Sequence, residues 1–364
     1  MKVFQIIPEF GFGGAEIMCE ALSMELHRLG HEVCVISLYS TQTIITQRLE
    51  KAGIRVLYLN KKNGFDVGII VSLLKLFKRE RPDVVHTHLY ALKYAVPACM
   101  LSGVKARIHT VHNIAQKEAT PKNRVINKVF YKYYHVIPVA LSNEIKRTIV
   151  EEYKLEPKLI PIIFNGIDLT SCMRKKSYEL KGQRISILHV GRFSEQKNHK
   201  GLVNAFLKAH QQNPNCELLL VGDGELREEI QQQVNAAQLD KVVHLLGLQN
   251  NVYSYMQQAD IFVLPSHYEG VPITLIEAMG TGLPIIATKV GGVPDMLTNE
   301  QNAILIDDNE QEICDSLLHL MNDQELRKRI GENALARADA FSISSTAKEY
   351  IQVYRKALQR SQHE

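Results

Sequence analysis

The chain has 364 residues, of which 45% are hydrophobic and 23% charged, enough apolar material for two buried cores. Those proportions exclude a disordered or collagen-like chain. The six cysteines (Cys19, Cys34, Cys99, Cys172, Cys216, Cys314) are scattered with no Cys-x-x-Cys pair, which argues against a disulfide frame or structural zinc and suits a reducing cytoplasm. Residues 1–169 carry 23 Lys+Arg against 15 Asp+Glu, and the remainder 20 against 24, so the net charge of +4 hides a basic first half.

In chain order, β-rich runs alternate with amphipathic helical stretches. In the first half the runs are 3–7, 33–36, 55–59, 83–86, 107–111, 135–139 and 159–163. The intervening patterns include 15–29, with Ile17, Ala21, Leu22, Leu26 and Leu29 on one face. The most apolar stretch, 67–77, is too short to cross a bilayer, contains Lys75 and runs into Lys78, Arg79 and Arg81. The short run ending at Pro8 does not read as a secretory signal. A second series follows the polar stretch 170–183, with strands at 185–190, 217–221, 242–246, 261–264, 284–287 and 303–306. Near-continuous apolar strands between helices predict α/β architecture: two doubly wound, Rossmann-like domains in tandem, with a turn at Asn165-Gly166-Ile167-Asp168 closing the first. A final helix is expected over 344–359, with Ala347, Ile351, Tyr354 and Leu358 on one face.

Several loops carry candidate chemistry. Gly11-Phe12-Gly13-Gly14 joins the first strand to its helix and could bring backbone N–H groups to a phosphate, or could simply be a tight turn. It is not the dinucleotide fingerprint, because Ile17 occupies the third glycine position. Arg192 and Lys197 follow the first strand of the second series, where doubly wound sheets bind ligands. They read as a diphosphate clamp or as two solvated cations. In the run 266–280, Glu269 lies in a loop after a strand and Pro272 is expected at the first helical position. Glu277 sits inside that helix among Leu275, Ile276, Ala278 and Met279, poorly placed for a surface charge. A sugar hydroxyl pair or a nearby lysine could be its partner.

Glu269-x7-Glu277 with Gly270, Pro272 and Ala278 resembles the signature of the retaining GT-B glycosyltransferases of family 4. Gly13-Gly14-Ala15-Glu16, His112, Arg192 with Lys197, Gly222-Asp223-Gly224 and Gly291-Gly292-Val293-Pro294-Asp295 fall in that family's order, over nearly the whole chain. The resemblance implies two domains facing a cleft: an acceptor domain over 1–169, a nucleotide-sugar donor domain over 170–343, and a segment 344–364 returning to the first domain. It also implies roles. Arg192 and Lys197 hold the donor diphosphate, Glu277 binds the ribose hydroxyls, and Glu269 contacts the transferred sugar. Gly270 and Val271 add backbone donors, His112 lies beneath the sugar, Gly13 and Gly14 approach the phosphate, and Leu248 stacks near the base. Two local departures are Asn198 and Ala303, where the family has glycine.

The expected reaction is retaining transfer from a nucleotide-diphosphate sugar, UDP-sugar favoured over GDP-mannose, to a glycan or lipid-linked acceptor in cell-surface polysaccharide synthesis. No Asp-x-Asp occurs, so no metal or other cofactor is expected and cations take the place of a divalent ion. The histidines His86, His88, His109 and His112 lack the carboxylate and cysteine companions of a metal site, and His86 and His109 read as core or strand-end residues. Lys61, Lys62, Lys75, Lys78, Arg79 and Arg81 surround one helical stretch. Lys117, Lys122, Arg124, Lys128 and Lys132 interleave with Phe130, Tyr131, Tyr133 and Tyr134. This pattern suits an anionic membrane surface, with the protein cytoplasmic and peripheral on the inner face, or else inward-packed tyrosines beside solvated lysines. The competing readings are a GT-B sugar-nucleotide epimerase, an NAD oxidoreductase, which lacks its glycine fingerprint, and a basic nucleic-acid binder, which leaves the donor-site pattern unexplained.

Overall fold

The computed structural model describes residues 1–11, 13–180 and 184–360. Phe12 of the glycine loop, Gln183 at the end of the polar stretch and the last four residues of segment 344–364 lie outside the described residues. The chain divides into two compact units, Met1–Ile167 with Ile343–Glu364, and Asp168–Ser342.

The first unit is built on a parallel sheet of β1 (Lys2–Ile7), β2 (Glu32–Ser37), β3 (Arg55–Tyr58), β4 (Val84–His88), β5 (Ala106–Val111) and β6 (Val136–Ala140), in the order β3-β2-β1-β4-β5-β6. The second has β7 (Ile185–Val190), β8 (Cys216–Val221), β9 (Val243–Gly247), β10 (Ile261–Leu264), β11 (Ile285–Thr288) and β12 (Ile304–Ile306), in the order β12-β11-β10-β7-β8-β9. Counted from each unit's own first strand, both are the 3-2-1-4-5-6 Rossmann order, so the strand order reverses between β1 and β4 and between β7 and β10. The expected α/β fold of two Rossmann-like domains is what the chain adopts.

Both faces of each sheet are covered, which is why the strands are apolar almost without alternation. In the first unit, Phe4, Ile6, Leu73, Phe77 and Tyr94 pack on one side, and Val3, Met18, Leu22, Tyr350 and Tyr354 on the other. The second unit's core joins Ile187, Phe193, Phe206, Leu218, Val263 and Leu317. The final helix, Ile343–Arg360, packs within the first unit against the helix Gly14–Arg28, burying Ala347, Tyr350, Ile351 and Tyr354.

One expected strand is absent. Residues 159–163 make only an isolated bridge, Ala140 to Ile162. The Pro161 carbonyl accepts from Ala140 and the Ile163 N–H donates back to it, but Ala140 is the last residue of β6, so the segment is left as a short extension beyond that strand's end.

The helices Val67–Glu80, Leu92–Ser102 and Pro121–Tyr133 lie side by side in one layer of the first unit. On Pro121–Tyr133 the interleaved aromatics divide: Phe130 and Tyr131 are buried, and Tyr133 is exposed. Val125, Ile126 and Val129 join Tyr133 on the outside, with Lys122 and Lys132 exposed beside them. The outward face is therefore more aliphatic than the sequence pattern suggested, because the three- and four-residue spacing from Asn127 carries Phe130 and Tyr131 inward.

Candidate functional site

In the second unit, β7 and β10 run side by side with Ile187 opposite Ile261 and Leu188 opposite Phe262. The loops that follow them therefore emerge together at the carboxyl edge, at the point where strand order reverses. The loop after β7 is pinned by Phe193, fully buried and stacked on the His199 ring with centroids 4.1 Å apart. Arg192 and Lys197 flank that anchor.

Lys197 donates from Nζ to Glu269 Oε1 at 2.6 Å. The neighbouring Gln196 donates from Nε2 to the Tyr268 carbonyl at 2.9 Å and to Glu269 Oε2 at 3.4 Å, while its own carbonyl accepts from the His267 N–H at 2.9 Å. The Glu269 side chain is only 5% exposed, so its charge is compensated by a neighbouring cation and an amide, as a buried carboxylate requires. The next loop clamps it from the other side. Gly291 has φ +58°, and a Cβ there would collide with the Glu269 carbonyl oxygen; Gly292 N–H donates to the Gly270 carbonyl at 2.9 Å. Gly222, after β8, likewise has no room for a Cβ against the Gly191 carbonyl. Backbone presses on backbone at both positions, which only glycine permits.

Arg192 is different in kind. It is 73% exposed and pairs with Glu225, with guanidinium nitrogens 3.1–3.2 Å from Oε2. An exposed pair of this kind is weak, so the guanidinium can exchange partners at little cost. Each cation is thus already matched to a carboxylate, one buried and one exposed.

Asn198 stands where the resemblance implies glycine. It sits in the left-handed region at φ 52° and its side chain accepts from Gly201 N–H, capping the helix His199–Gln212. Asparagine is among the few side-chain-bearing residues that tolerate this backbone, and it also supplies the cap.

The helix Ile273–Thr281 follows Glu269. Pro272 is not its first residue, as expected, but its N-cap: ψ of 120° keeps it extended, and its carbonyl accepts from Leu275 and Ile276. Glu277 keeps some exposure, but its carboxyl end is enclosed by protein and accepts from the Tyr253 hydroxyl of the helix Val252–Gln258. Burial pushes the Glu277 carboxyl up to about 7, with the Tyr253 hydrogen bond opposing. Tyr253 is also raised, by burial and then by the Glu277 charge. Gly270 is half-buried, Val271 is buried, and Leu248, just past β9, is 73% exposed.

The remaining expected residues lie in the first unit. Gly13 is the N-cap of the helix Gly14–Arg28, with the Glu16 carboxylate packed against it; a Cβ on Gly14 would meet nothing within 4 Å. His112 follows β5. Its Nε2 lies 3.0 Å from His88 Nδ1, and burial pushes its ring down to about 3, so it is neutral. The Glu118 carboxyl takes hydrogen bonds from the backbone N–H groups of His112 and Asn113, and burial raises it to about 7. His86 and His109 are buried in their strands, as expected of core histidines. Among the described residues, no group of three or more His, Cys, Asp or Glu side chains is arranged to hold a metal ion.

Structure thus adds Gln196, Tyr253 and Glu225 to the residues read from sequence. Gln196 partners a residue 73 positions away, and no local pattern marks it.

A family model described as Glycosyl transferases group 1 matches residues 173–337, and one described as Glycosyltransferase Family 4 matches residues 12–171. An Escherichia coli UDP-Gal:alpha-D-GlcNAc-diphosphoundecaprenol alpha-1,3-galactosyltransferase is 31% identical over 283 residues, covering 72% of each chain. A Campylobacter jejuni N-acetylgalactosamine-N,N'-diacetylbacillosaminyl-diphospho-undecaprenol 4-alpha-N-acetylgalactosaminyltransferase is 28% identical over 63% of each. In fold, Anabaena HepE in complex with UDP superimposes with a TM-score of 0.86 at 19% identity, over 98% of this chain and 100% of that one.

Proposed function

The chain belongs to the group 1, family 4 glycosyltransferases, and from that premise we propose that it moves a sugar from a UDP-sugar, with retention and without a divalent metal, to a lipid-linked or glycan acceptor in cell-surface polysaccharide synthesis. The observation that carries this reading is the placement of Arg192 and the Lys197–Glu269 pair on adjacent loops at the carboxyl edge of β7 and β10. Lys197 can bridge Glu269 and a diphosphate oxygen, and Arg192 can leave Glu225 for the same diphosphate. Fixed cations aimed at the departing diphosphate stabilise the charge that develops there. UDP is favoured because the galactosyltransferase relative is named for UDP-Gal and the Anabaena structure holds UDP.

Retention is read as same-face attack, with the leaving phosphate taking the acceptor proton. Double displacement needs a second carboxylate free to act as nucleophile ~5–5.5 Å from the first. Here both Glu269 oxygens are engaged by Lys197 and Gln196, and Glu277 is engaged by Tyr253. In this account Glu269 orients the transferred sugar, Glu277 accepts from the ribose hydroxyls, and Gly270 and Val271 line the diphosphate. Leu248 flanks the base, while Gly13, Gly14 and His112 act from the first unit. The test is UDP release from a panel of UDP-sugars with an undecaprenyl-diphosphate-linked sugar, in the presence of EDTA. An α-linked product by NMR is expected; a β-linked product, or transfer abolished by EDTA, contradicts the reading.

Glu277 gives a pH prediction. Its acid form is favoured by burial, and ionisation turns it into a charged acceptor at both oxygens for the ribose hydroxyls, so affinity for a UDP-sugar should strengthen as pH rises through about 7 and then level off. A UDP-sugar is the right probe because its esterified diphosphate does not titrate in that range. Calorimetric titration of wild type and Glu277→Gln checks this; an unchanged pH dependence in the variant would remove Glu277 from donor binding.

No helix among the described residues is long and apolar enough to cross a membrane. Access to a lipid-linked acceptor is proposed through the exposed face of Pro121–Tyr133, where Lys122 and Lys132 flank Val125, Val129 and Tyr133. The protein should co-sediment with phosphatidylglycerol vesicles at low salt, and Lys122→Glu/Lys132→Glu should release it; equal sedimentation of both counts against docking there.

A further inference from the structure

In the first unit an unbroken line of buried polar side chains runs inward from His112. His112 Nε2 meets His88 Nδ1 at 3.0 Å, and His88 Nε2 meets Gln5 Oε1 at 2.9 Å. Gln5 Nε2 donates to the Tyr354 hydroxyl at 3.5 Å, and that hydroxyl meets His86 Nδ1 at 2.8 Å. His86 Nε2 meets the Thr110 hydroxyl at 2.7 Å, which meets the Tyr350 hydroxyl at 2.8 Å. Gln5, His86, His88, Thr110, Tyr350 and Tyr354 are each at most 2% exposed. The residues come from β1, β4, β5 and the final helix, so four separate elements are joined by one line of protons.

Such a line has a direction. A neutral imidazole donates from one nitrogen and accepts at the other, and an amide oxygen only accepts. Gln5 turns its oxygen toward His88, so His88 must carry its proton on Nε2 and present Nδ1 as an acceptor. His112 must then donate from Nε2, which leaves its Nδ1 with a lone pair and with no partner among the described residues. On its other side Gln5 donates to the Tyr354 hydroxyl, which fixes the amide's orientation, and the contacts continue through His86 and Thr110 to Tyr350.

We propose that Gln5 and His88 are positioning residues that hold His112 in its Nε2–H tautomer, so that it offers Nδ1 as an acceptor to a hydroxyl of the transferred sugar. The inference rests on the reading that His112 contacts that sugar. It narrows what His112 can recognise: a hydroxyl or another donor, and not an ether or carbonyl oxygen. It also gives the Tyr350 and Tyr354 hydroxyls a task beyond packing, since they terminate the line from the last helix.

Long-range proton–nitrogen NMR on protein labelled with 15N-histidine reads the tautomer directly, with His112→Ala assigning the signals. In wild type His112 should show a pyridine-type Nδ1 and a pyrrole-type Nε2; the reverse pattern overturns the proposal without any variant. Gln5→Met removes the acceptor at similar volume. With the fold intact by circular dichroism, His112 should then populate both tautomers and turnover should fall about tenfold, the scale of one misdirected neutral hydrogen bond. An unchanged tautomer in Gln5→Met overturns the positioning role whatever the rate. If the tautomer shifts but His112→Ala turns over like wild type, the sugar-contact reading fails and the inference built on it falls with it.

Discussion

Lys197→Ala is expected to lower turnover by at least ~10²-fold and also to destabilise the second unit. The chemical loss follows from removing a fixed cation at the diphosphate. The structural loss follows from Glu269, whose side chain is 5% exposed and whose nearest cation is the Lys197 ammonium at 2.6 Å. Removing one member of a buried pair typically costs about 3–5 kcal/mol, and the 16% exposure of Lys197 places this case toward the lower figure. The double variant Lys197→Ala/Glu269→Gln separates the two losses. It should regain most of the unfolding free energy in urea titration, because no uncompensated carboxylate remains, yet stay inactive. Recovery of turnover in the double variant would mean that Lys197 serves only to neutralise Glu269.

Arg192→Ala makes the complementary case. The side chain is 73% exposed and its partner Glu225 is exposed too, so the unfolding midpoint should move by no more than about 2 °C. Turnover should nonetheless fall ~10²–10³-fold, since the lost interaction is one that strengthens as negative charge gathers on the leaving diphosphate. Arg192→Lys should restore little, because a point charge does not reproduce the two-pronged guanidinium contact with phosphate. A variant with both wild-type stability and wild-type turnover would place the donor diphosphate elsewhere.

Much of this arrangement was legible in the sequence because it depends on local pattern. Apolar runs of four to six residues located every strand of both sheets, and the loops carrying Arg192, Lys197 and Glu269 followed from strand ends alone. Reading failed where the deciding contact is tertiary or where one residue overrides a pattern. Residues 159–163 have a strand's composition, but they meet β6 only at its last residue, Ala140, through the Pro161 carbonyl and the Ile163 N–H. Pro272 suits the first helical position and the N-cap nearly equally, and only the extended backbone chose between them. Tyr253 is 24 residues from Glu277, and Gln5 is 83 from His88; neither pairing leaves a periodic trace. The same limit applies to Asn198, whose φ of 52° puts it in the left-handed backbone that favours glycine, a feature no local pattern marks.

The most direct test of the central claim is the thermal unfolding of the wild-type protein and of Arg192→Ala in EDTA, with UDP, GDP, UDP-sugars and NAD each added in turn. UDP and UDP-sugars should raise the wild-type midpoint, with GDP and NAD doing little, and Arg192→Ala should lose the UDP response while unfolding at the same temperature without ligand. A wild-type protein indifferent to every nucleoside diphosphate, or an undiminished UDP response in Arg192→Ala, would contradict that claim.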